Sequence, residues 1–317
     1  MPLTLTLVPA DHDLCLLTIH AHPDDESSKG ASTVAKYHDE GVRAVLVCCT
    51  GGELGDIANP SVDTPEVRAN LTEVRRQELA NATSIIGFDE VIMLGYRDSG
   101  MADSPGNDDP RSFHRADFDE AVGRLVAIIR RARPQVIMTY GDDQQGYPHP
   151  DHLRVHDISI PAFERAGDAD WYPDAGEPWQ PLKLYYSTWS RARAIATRDR
   201  YVQLGLKSPY DDKWFNRPWQ DHRITTQIDI LDYYDVRKNA LIAHATQIDP
   251  TSHWWFGLPD HEARTIHPFE DYILARSLVG EIPGEDAFPM PDREQPPVIR
   301  ERDLFAGVRV RSDISAS

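Results

Sequence analysis

Cysteine is scarce in this 317-residue chain: there are three, an odd number, each set in an apolar run. That excludes a disulfide framework and leaves buried, reduced thiols, because burial disfavours the reactive thiolate. Positive charge is short as well. Thirty-three Lys and Arg against 51 Asp and Glu give a formal net charge of −18. Such a surface repels phosphate backbones and anionic bilayers, so neither nucleic acid nor a membrane is expected as a partner. Long apolar runs are missing too. The longest are strand-sized, short of the ~18 residues a membrane helix requires, and residues 1–10 lack the basic start of a secretory leader. The expectation is a soluble, cytoplasmic protein. No internal repeat is visible. The glycine-rich turn at residues 51–55 has neither the dinucleotide-binding spacing nor the Lys-Ser/Thr of a P-loop.

What is present is an alternation of strand and helix. The apolar runs at residues 14–19, 43–50, 90–94 and 134–140 are continuous, the pattern of parallel strands covered on both faces. Helical stretches fall between them at residues 29–37, 64–86 and 118–133; the second opens on Thr64-Pro65-Glu66 and stops at Gly87. The expected class is α/β, a mostly parallel sheet with helices on both faces. Each strand empties into a polar loop, and open α/β sheets bind ligands beyond their strands' carboxyl ends. Residues 101–115, rich in Pro, Gly and Asp, read as a long rim loop. After residue 171 prolines punctuate the chain, with strands expected at 183–187 and 223–230 and helices near 190–206 and 233–244. Trp254, Trp255 and Phe256 read as core or pocket wall. Residues 1–170 are taken as the catalytic core, 171–280 as an elaboration of the same domain completing the pocket, and 281–317 as an extended surface tail.

The chemistry gathers in two loops. The first strand runs into His20-Ala21-His22-Pro23-Asp24-Asp25-Glu26. His22 and Asp25 stand three apart across a proline-stiffened turn, so an imidazole and a carboxylate can converge on one metal with Asp24 free beside them. The alternative is an acidic helix start whose carboxylates complement the dipole. The fourth strand opens into Tyr147-Pro148-His149-Pro150-Asp151-His152, followed by a helix to about residue 166. His152 and His156 are four apart on that helix and His149 precedes it, which makes His152 the natural third ligand and His149 a neighbour reaching the substrate. Two such clusters after two strands of one sheet favour a metal over two satisfied surface groups. Other positions stay open. Glu53 belongs to a simple turn or points into the pocket, and Arg75 and Arg76 read as a solvated helix face. His244 complements a helix C-terminus or lines the pocket. Lys29 is an exposed cation or reaches a substrate held at the metal.

With His22-Pro23-Asp24-Asp25-Glu26 and His149-Pro150-Asp151-His152 both in place, the chain resembles the LmbE-like (PIG-L-like) zinc-dependent N-deacetylases. It is similar over nearly its whole length to the branch of that family that hydrolyses mycothiol S-conjugates. That similarity is carried by Glu26-Ser27-Ser28-Lys29-Gly30, Thr50-Gly51-Gly52-Glu53, Arg97-Asp98-Ser99-Gly100, Ala243-His244-Ala245-Thr246-Gln247 and Asp303-Leu304-Phe305-Ala306-Gly307. Leu54 departs from it where arginine is expected, as do residues 101–110. The resemblance implies a Rossmann-like sheet and an amidase that splits the glucosamine–cysteine amide of a small-molecule mycothiol S-conjugate. It implies Zn2+, with Fe2+ as the alternative ion, on His22, Asp25 and His152, with Asp24 as general base and Tyr147 and His149 at the tetrahedral intermediate. Arg75 and Asp98 become sugar contacts, and Glu53, Lys29 and His244 complete the substrate-facing set. As chemistry, Asp24 takes a proton from water while a protonated His149, oriented by Asp151, steadies the oxyanion and then protonates the amine. The competing expectations are deacetylation of N-acetyl-glucosaminyl-inositol or of a secondary metabolite and, from another class, a non-catalytic nucleotide-binding protein.

Overall fold

The computed structural model describes residues 14–144, 146–279 and 299–308. Seven strands form one sheet: β1 (Cys15–His20), β2 (Arg43–Thr50), β3 (Glu90–Tyr96), β4 (Val136–Tyr140), β5 (Lys183–Thr188), β6 (Thr226–Asp229) and β7 (Phe269–Ser277). Their order is β3-β2-β1-β4-β5-β7-β6. The first five pair in parallel, whereas β7 runs antiparallel to both β5 and β6. The expected class, α/β with a Rossmann-like and mostly parallel sheet, is the one observed.

The continuous apolar runs have the reason expected. In β1, Cys15, Leu17 and Ile19 enter one core with Val45, Leu125, Ile129 and Val155. Leu16 enters the opposite core with Val34, Tyr37, Met138 and Tyr185. Helices Phe118–Ala132 and Pro150–Arg165 supply the first face; Ala31–Asp39, Leu71–Ile86 and Tyr234–Ala243 supply the second. The chain leaves β1 toward β2 and β3, then returns to the other side as β4. The loops after β1 and β4 therefore diverge from adjacent strands, and a crevice opens between them. Both His/Asp clusters sit there.

The structure differs from the reading at four places. The helix expected over 64–86 breaks at Asn70 into Pro65–Ala69 and Leu71–Ile86, because Asn70 adopts φ −123°, ψ 23°. The strand expected over 223–230 shortens to Thr226–Asp229, since Asp221–Arg223 forms a 3-10 turn. β7 was not expected. Of the residues expected as a surface tail, 281–298 and 309–317 lie outside the described residues, while 299–308 pack inward. Leu304 and Phe305 are buried there, and Glu301 meets the buried Lys183 at 2.6 Å.

Candidate metal centre

The turn after β1 folds on itself. The His22 amide donates to Asp25 Oδ2 at 2.9 Å, and Asp25 opens the short helix Asp25–Ser28. Asp24, at the bend, takes φ 116°, a left-handed conformation strained for any residue with a Cβ. Its amide donates to Glu26 Oε2 at 2.9 Å. After β4, His149 caps the helix Pro150–Arg165 by accepting the Asp151 amide at Nδ1, 3.2 Å away.

These two turns bring His22, Asp25 and His152 together, all buried, with their donor atoms within 4.8 Å of one another. His22 Nδ1 lies 3.4 Å from Asp25 Oδ2, and His152 Nε2 lies 3.5 Å from the same oxygen. Donors each ~2.0–2.1 Å from a tetrahedral zinc ion stand roughly 3.3 Å apart, close to these two separations, so the donor set suits such an ion. Burial holds His152 down to about 4, neutral and ready to bind. Burial would raise the Asp25 carboxyl, but Lys29 and His152 outweigh it and keep it well below the usual range.

A second group, His22, Asp98, His149 and Asp151, adjoins the first. Its carboxylates already accept backbone and hydroxyl hydrogens. Asp98 takes the amides of Leu54 and Gly100, and Asp151 takes the Ser99 amide and hydroxyl. Both then face the His22 ring, Asp151 Oδ2 at 3.2 Å and Asp98 Oδ1 at 3.5 Å from Nε2. Such a carboxylate suits the outer place of a carboxylate–histidine–metal arrangement, in which Nε2–H would be directed at Asp151 and Nδ1 turned to the Asp25 side. Burial lowers the His22 imidazole, yet Asp151, Asp25 and Asp98 together hold it well above its ordinary value, so an ion binding at Nδ1 would displace a proton from it.

Asp24 stays out of the ligand set. Its Oδ2 lies 3.4 Å from Arg75. Burial raises its carboxyl, Arg75 opposes that, and the nearby Asp25 adds to it. A desolvated acid beside a metal is suited to accept a proton from water. His149 stacks edge-on to His22 with ring centroids 4.5 Å apart, and burial and His22 both lower it. Tyr147, 49 % exposed, overhangs with its ring 5.4 Å from His152.

Several expected roles change. Asp151 does not orient the His149 ring: its carboxylate belongs to His22 and Ser99, and its backbone amide is what meets His149. With Nδ1 accepting that amide, the resting His149 is a neutral donor through Nε2, not an imidazolium. Arg75 is 2 % exposed and grips the loops, donating to Pro23 O at 2.5 Å and Gly52 O at 2.7 Å, so it clamps the site and balances Asp24 instead of reaching a sugar. Gly52 and Gly55 make room for this clamp, since a Cβ at either would overlap the guanidinium. Glu53 accepts the Asp98 amide at 2.9 Å, and Asp98 in turn faces His22, so these two brace the site. His244 is fully buried, 2.6 Å from Glu26, and is not among the residues lining the cavity beside the cluster. Lys29 meets Asp25 Oδ1 at 2.5 Å as its counter-ion, and it also lines the adjoining cavity. Sequence reasoning missed Glu26, Ser99 and Tyr140 as supports. Tyr140 stacks on His152 at 4.6 Å, and its hydroxyl accepts the Ala21 amide at 3.0 Å.

A buried two-imidazole, one-carboxylate centre with a separate acid beside it, set in the crevice of a Rossmann-like sheet, defines a metal-dependent hydrolase. Residues 17–163 match the GlcNAc-PI de-N-acetylase (PIG-L) family, and with full-length relatives of high identity the chain belongs to that family. It is 43 % identical over 305 residues to a mycothiol S-conjugate amidase of Streptomyces coelicolor, covering 93 % of this chain and 98 % of that one. It is 38 % identical over 309 residues to a 1D-myo-inositol 2-acetamido-2-deoxy-alpha-D-glucopyranoside deacetylase of Frankia alni, covering 92 % and 99 %. The fold is shared with N,N'-diacetylchitobiose deacetylase of Pyrococcus horikoshii, with TM-score 0.58, 18 % identity, and 83 % and 84 % of the two chains covered. Among the described residues no helix is long and apolar enough to cross a membrane.

Proposed function

We propose that the protein is a zinc-dependent amidase that splits the glucosamine–cysteine amide of mycothiol S-conjugates. The products are glucosaminyl-inositol and an N-acetylcysteine S-conjugate. The similarity to the Streptomyces coelicolor amidase over 93 % of the chain carries this reading. A cavity of about 450 Å³ bounded by Lys29, Tyr147 and His152 favours it over a deacetylase, because an acetyl group leaves most of that space unused.

When bound, zinc supplies a Lewis acid that polarises the amide carbonyl and acidifies water. His22, Asp25 and His152 would hold it. Asp24 takes the proton of the attacking water and returns it to the departing sugar nitrogen. The His149 Nε2–H and the Tyr147 hydroxyl donate to the oxygen on which charge develops. Arg75 keeps Asp24 aimed, and Asp151 keeps the His22 proton on the side away from the ion.

Product analysis with bimane-labelled mycothiol beside N-acetyl-glucosaminyl-inositol tests the assignment. The amidase reading expects kcat/KM for the conjugate to exceed that for the acetyl sugar at least ~10-fold. The reverse order would make the enzyme a deacetylase. Hydrolysis of neither substrate by protein loaded with zinc or ferrous iron would remove both readings.

A further inference from the structure

The cavity beside the metal centre is walled on its far side by groups the hydrolysis does not use: Trp189, Trp214, Trp254, Trp255, Arg193 and Arg217. A smaller pocket of about 80 Å³ shares Trp189, Arg193, Trp254 and Trp255 with it and extends the wall to Arg237. Two of these rings pack together with a tyrosine. Trp214 and Trp254 lie 5.5 Å apart, and Tyr210 braces each of them from 4.8 and 5.0 Å.

Three guanidiniums stack on this wall. Arg193 lies 4.4 Å over Trp189, Arg217 lies 4.2 Å over Trp214, and Arg237 lies 5.7 Å from both Trp189 and Trp255. Among the described residues none of the three forms an ion pair, although acids outnumber bases in the chain by 51 to 33. Arg217 Nε and both Nε and one terminal nitrogen of Arg237 are buried without a hydrogen-bond partner. The carboxylates nearby have hydrogen-bond partners of their own and act on these guanidiniums only from beyond ion-pair distance, Asp143 on Arg217 and Glu270 on Arg237. Glu270 accepts from Thr33 and Tyr272, Asp271 from Ser190, Gln227 and His267, and Asp143 from Gln220. Burial and the neighbouring Arg193 push the Arg237 guanidinium down to about 10 against the opposing charge of Glu270. Desolvated cations with no carboxylate in contact are unfavourable in a folded chain, and a ligand anion would relieve them.

We propose that this wall is the acceptor for the thioether substituent of the substrate and selects aromatic substituents that carry a carboxylate. The proposal rests on the amidase reading. Lys29 and His152 line both the metal cluster and this cavity, so the cavity is open to the acyl arm of an amide that the cluster would hold. Tryptophan faces take the aryl ring, and stacked guanidiniums, fixed in plane, meet the carboxylate with paired donors.

Three mycothiol conjugates, S-methyl, S-benzyl and S-(4-carboxybenzyl), decide it when kcat/KM is compared in the wild type, Arg217→Gln and Arg237→Gln. The wild type should prefer 4-carboxybenzyl to benzyl by at least roughly 10-fold, the size of a charge-assisted hydrogen bond, mostly through KM. The variants should narrow that ratio to below ~3 while unfolding at the wild-type temperature. A wild-type ratio near one, or variants that lower all three conjugates alike, overturns the proposal. If no conjugate is hydrolysed the amidase reading falls by itself, and tryptophan-fluorescence titration with N-acetyl-S-benzylcysteine and its 4-carboxybenzyl analogue still decides the cavity. Tighter binding of the analogue, abolished in Arg217→Gln, supports the proposal; equal affinities reject it.

Discussion

Asp151 shows how a residue can be found by its motif and still be misread. Its place in His149-Pro150-Asp151-His152 suggests service to the adjacent histidine, yet its carboxylate holds His22, 129 positions earlier in the chain. Spacing reveals which side chains can share a turn; it carries no signal for a contact of that sequence separation. The same limit hid the Arg75 clamp on Pro23, 52 positions away, and the Glu26–His244 pair, 218 apart. The convergence of His22, Asp25 and His152 was legible because His22 and Asp25 share one turn and His152 opens the helix after the neighbouring strand. An outer carboxylate of this kind typically contributes 10–100-fold in metal affinity. Asp151→Asn should therefore weaken zinc binding by roughly that factor in a chelator competition, with turnover largely recovered at saturating zinc. Unchanged affinity with lost turnover would return Asp151 to the acid role at His149.

Element by element, the parallel strands were readable because their apolar runs are unbroken. β7 was not: Phe-Glu-Asp-Tyr-Ile-Leu-Ala-Arg-Ser mixes burial with charge, and Glu270 and Asp271 are buried only because Thr33, Tyr272, Ser190, Gln227 and His267 satisfy them. The helices Asp25–Ser28 and Tyr234–Ala243 are joined by the buried Glu26–His244 pair. Burial raises Glu26, but His244 prevails and its carboxyl falls below 4.5; burial lowers His244, but Glu26 prevails and it rises above 6.5. The depressed acid stabilises the fold above 4.5 and loses that contribution as pH falls through its folded value. The raised imidazole stabilises fully below 6.5 and loses it as pH rises through its folded value. Both contributions are thus complete together near pH 5.5. His244→Gln should destabilise most there, by about 3–5 kcal/mol as for a broken buried pair, and less on either side. Denaturant unfolding of both proteins across pH checks this; a difference independent of pH would make the pair electrostatically silent.

For the whole molecule, the metal set is drawn from two loops that the sheet order alone makes neighbours, since β1 and β4 pair although more than a hundred residues separate them. A bound ion ties these halves of the crevice together and neutralises part of a cluster holding Asp24, Asp25, Asp98 and Asp151. Because the ligand geometry exists only in the folded chain, zinc adds stability of RT ln(1 + [Zn]/Kd), about 2.7 kcal/mol at a hundredfold excess over Kd. Chelation should lower the unfolding temperature, and zinc should restore it in proportion to the logarithm of its concentration. His152→Ala should abolish this response, because only two of the three donors remain. Asp24→Asn should keep the response in full while losing at least ~100-fold in turnover, since a general base contributes about 10²–10⁴ and Asp24 lies outside the donor set. A folded Asp24→Asn protein that no longer responds to zinc would exchange the assignments of Asp24 and Asp25, and the carboxylate that binds the ion would be the one at the strained bend.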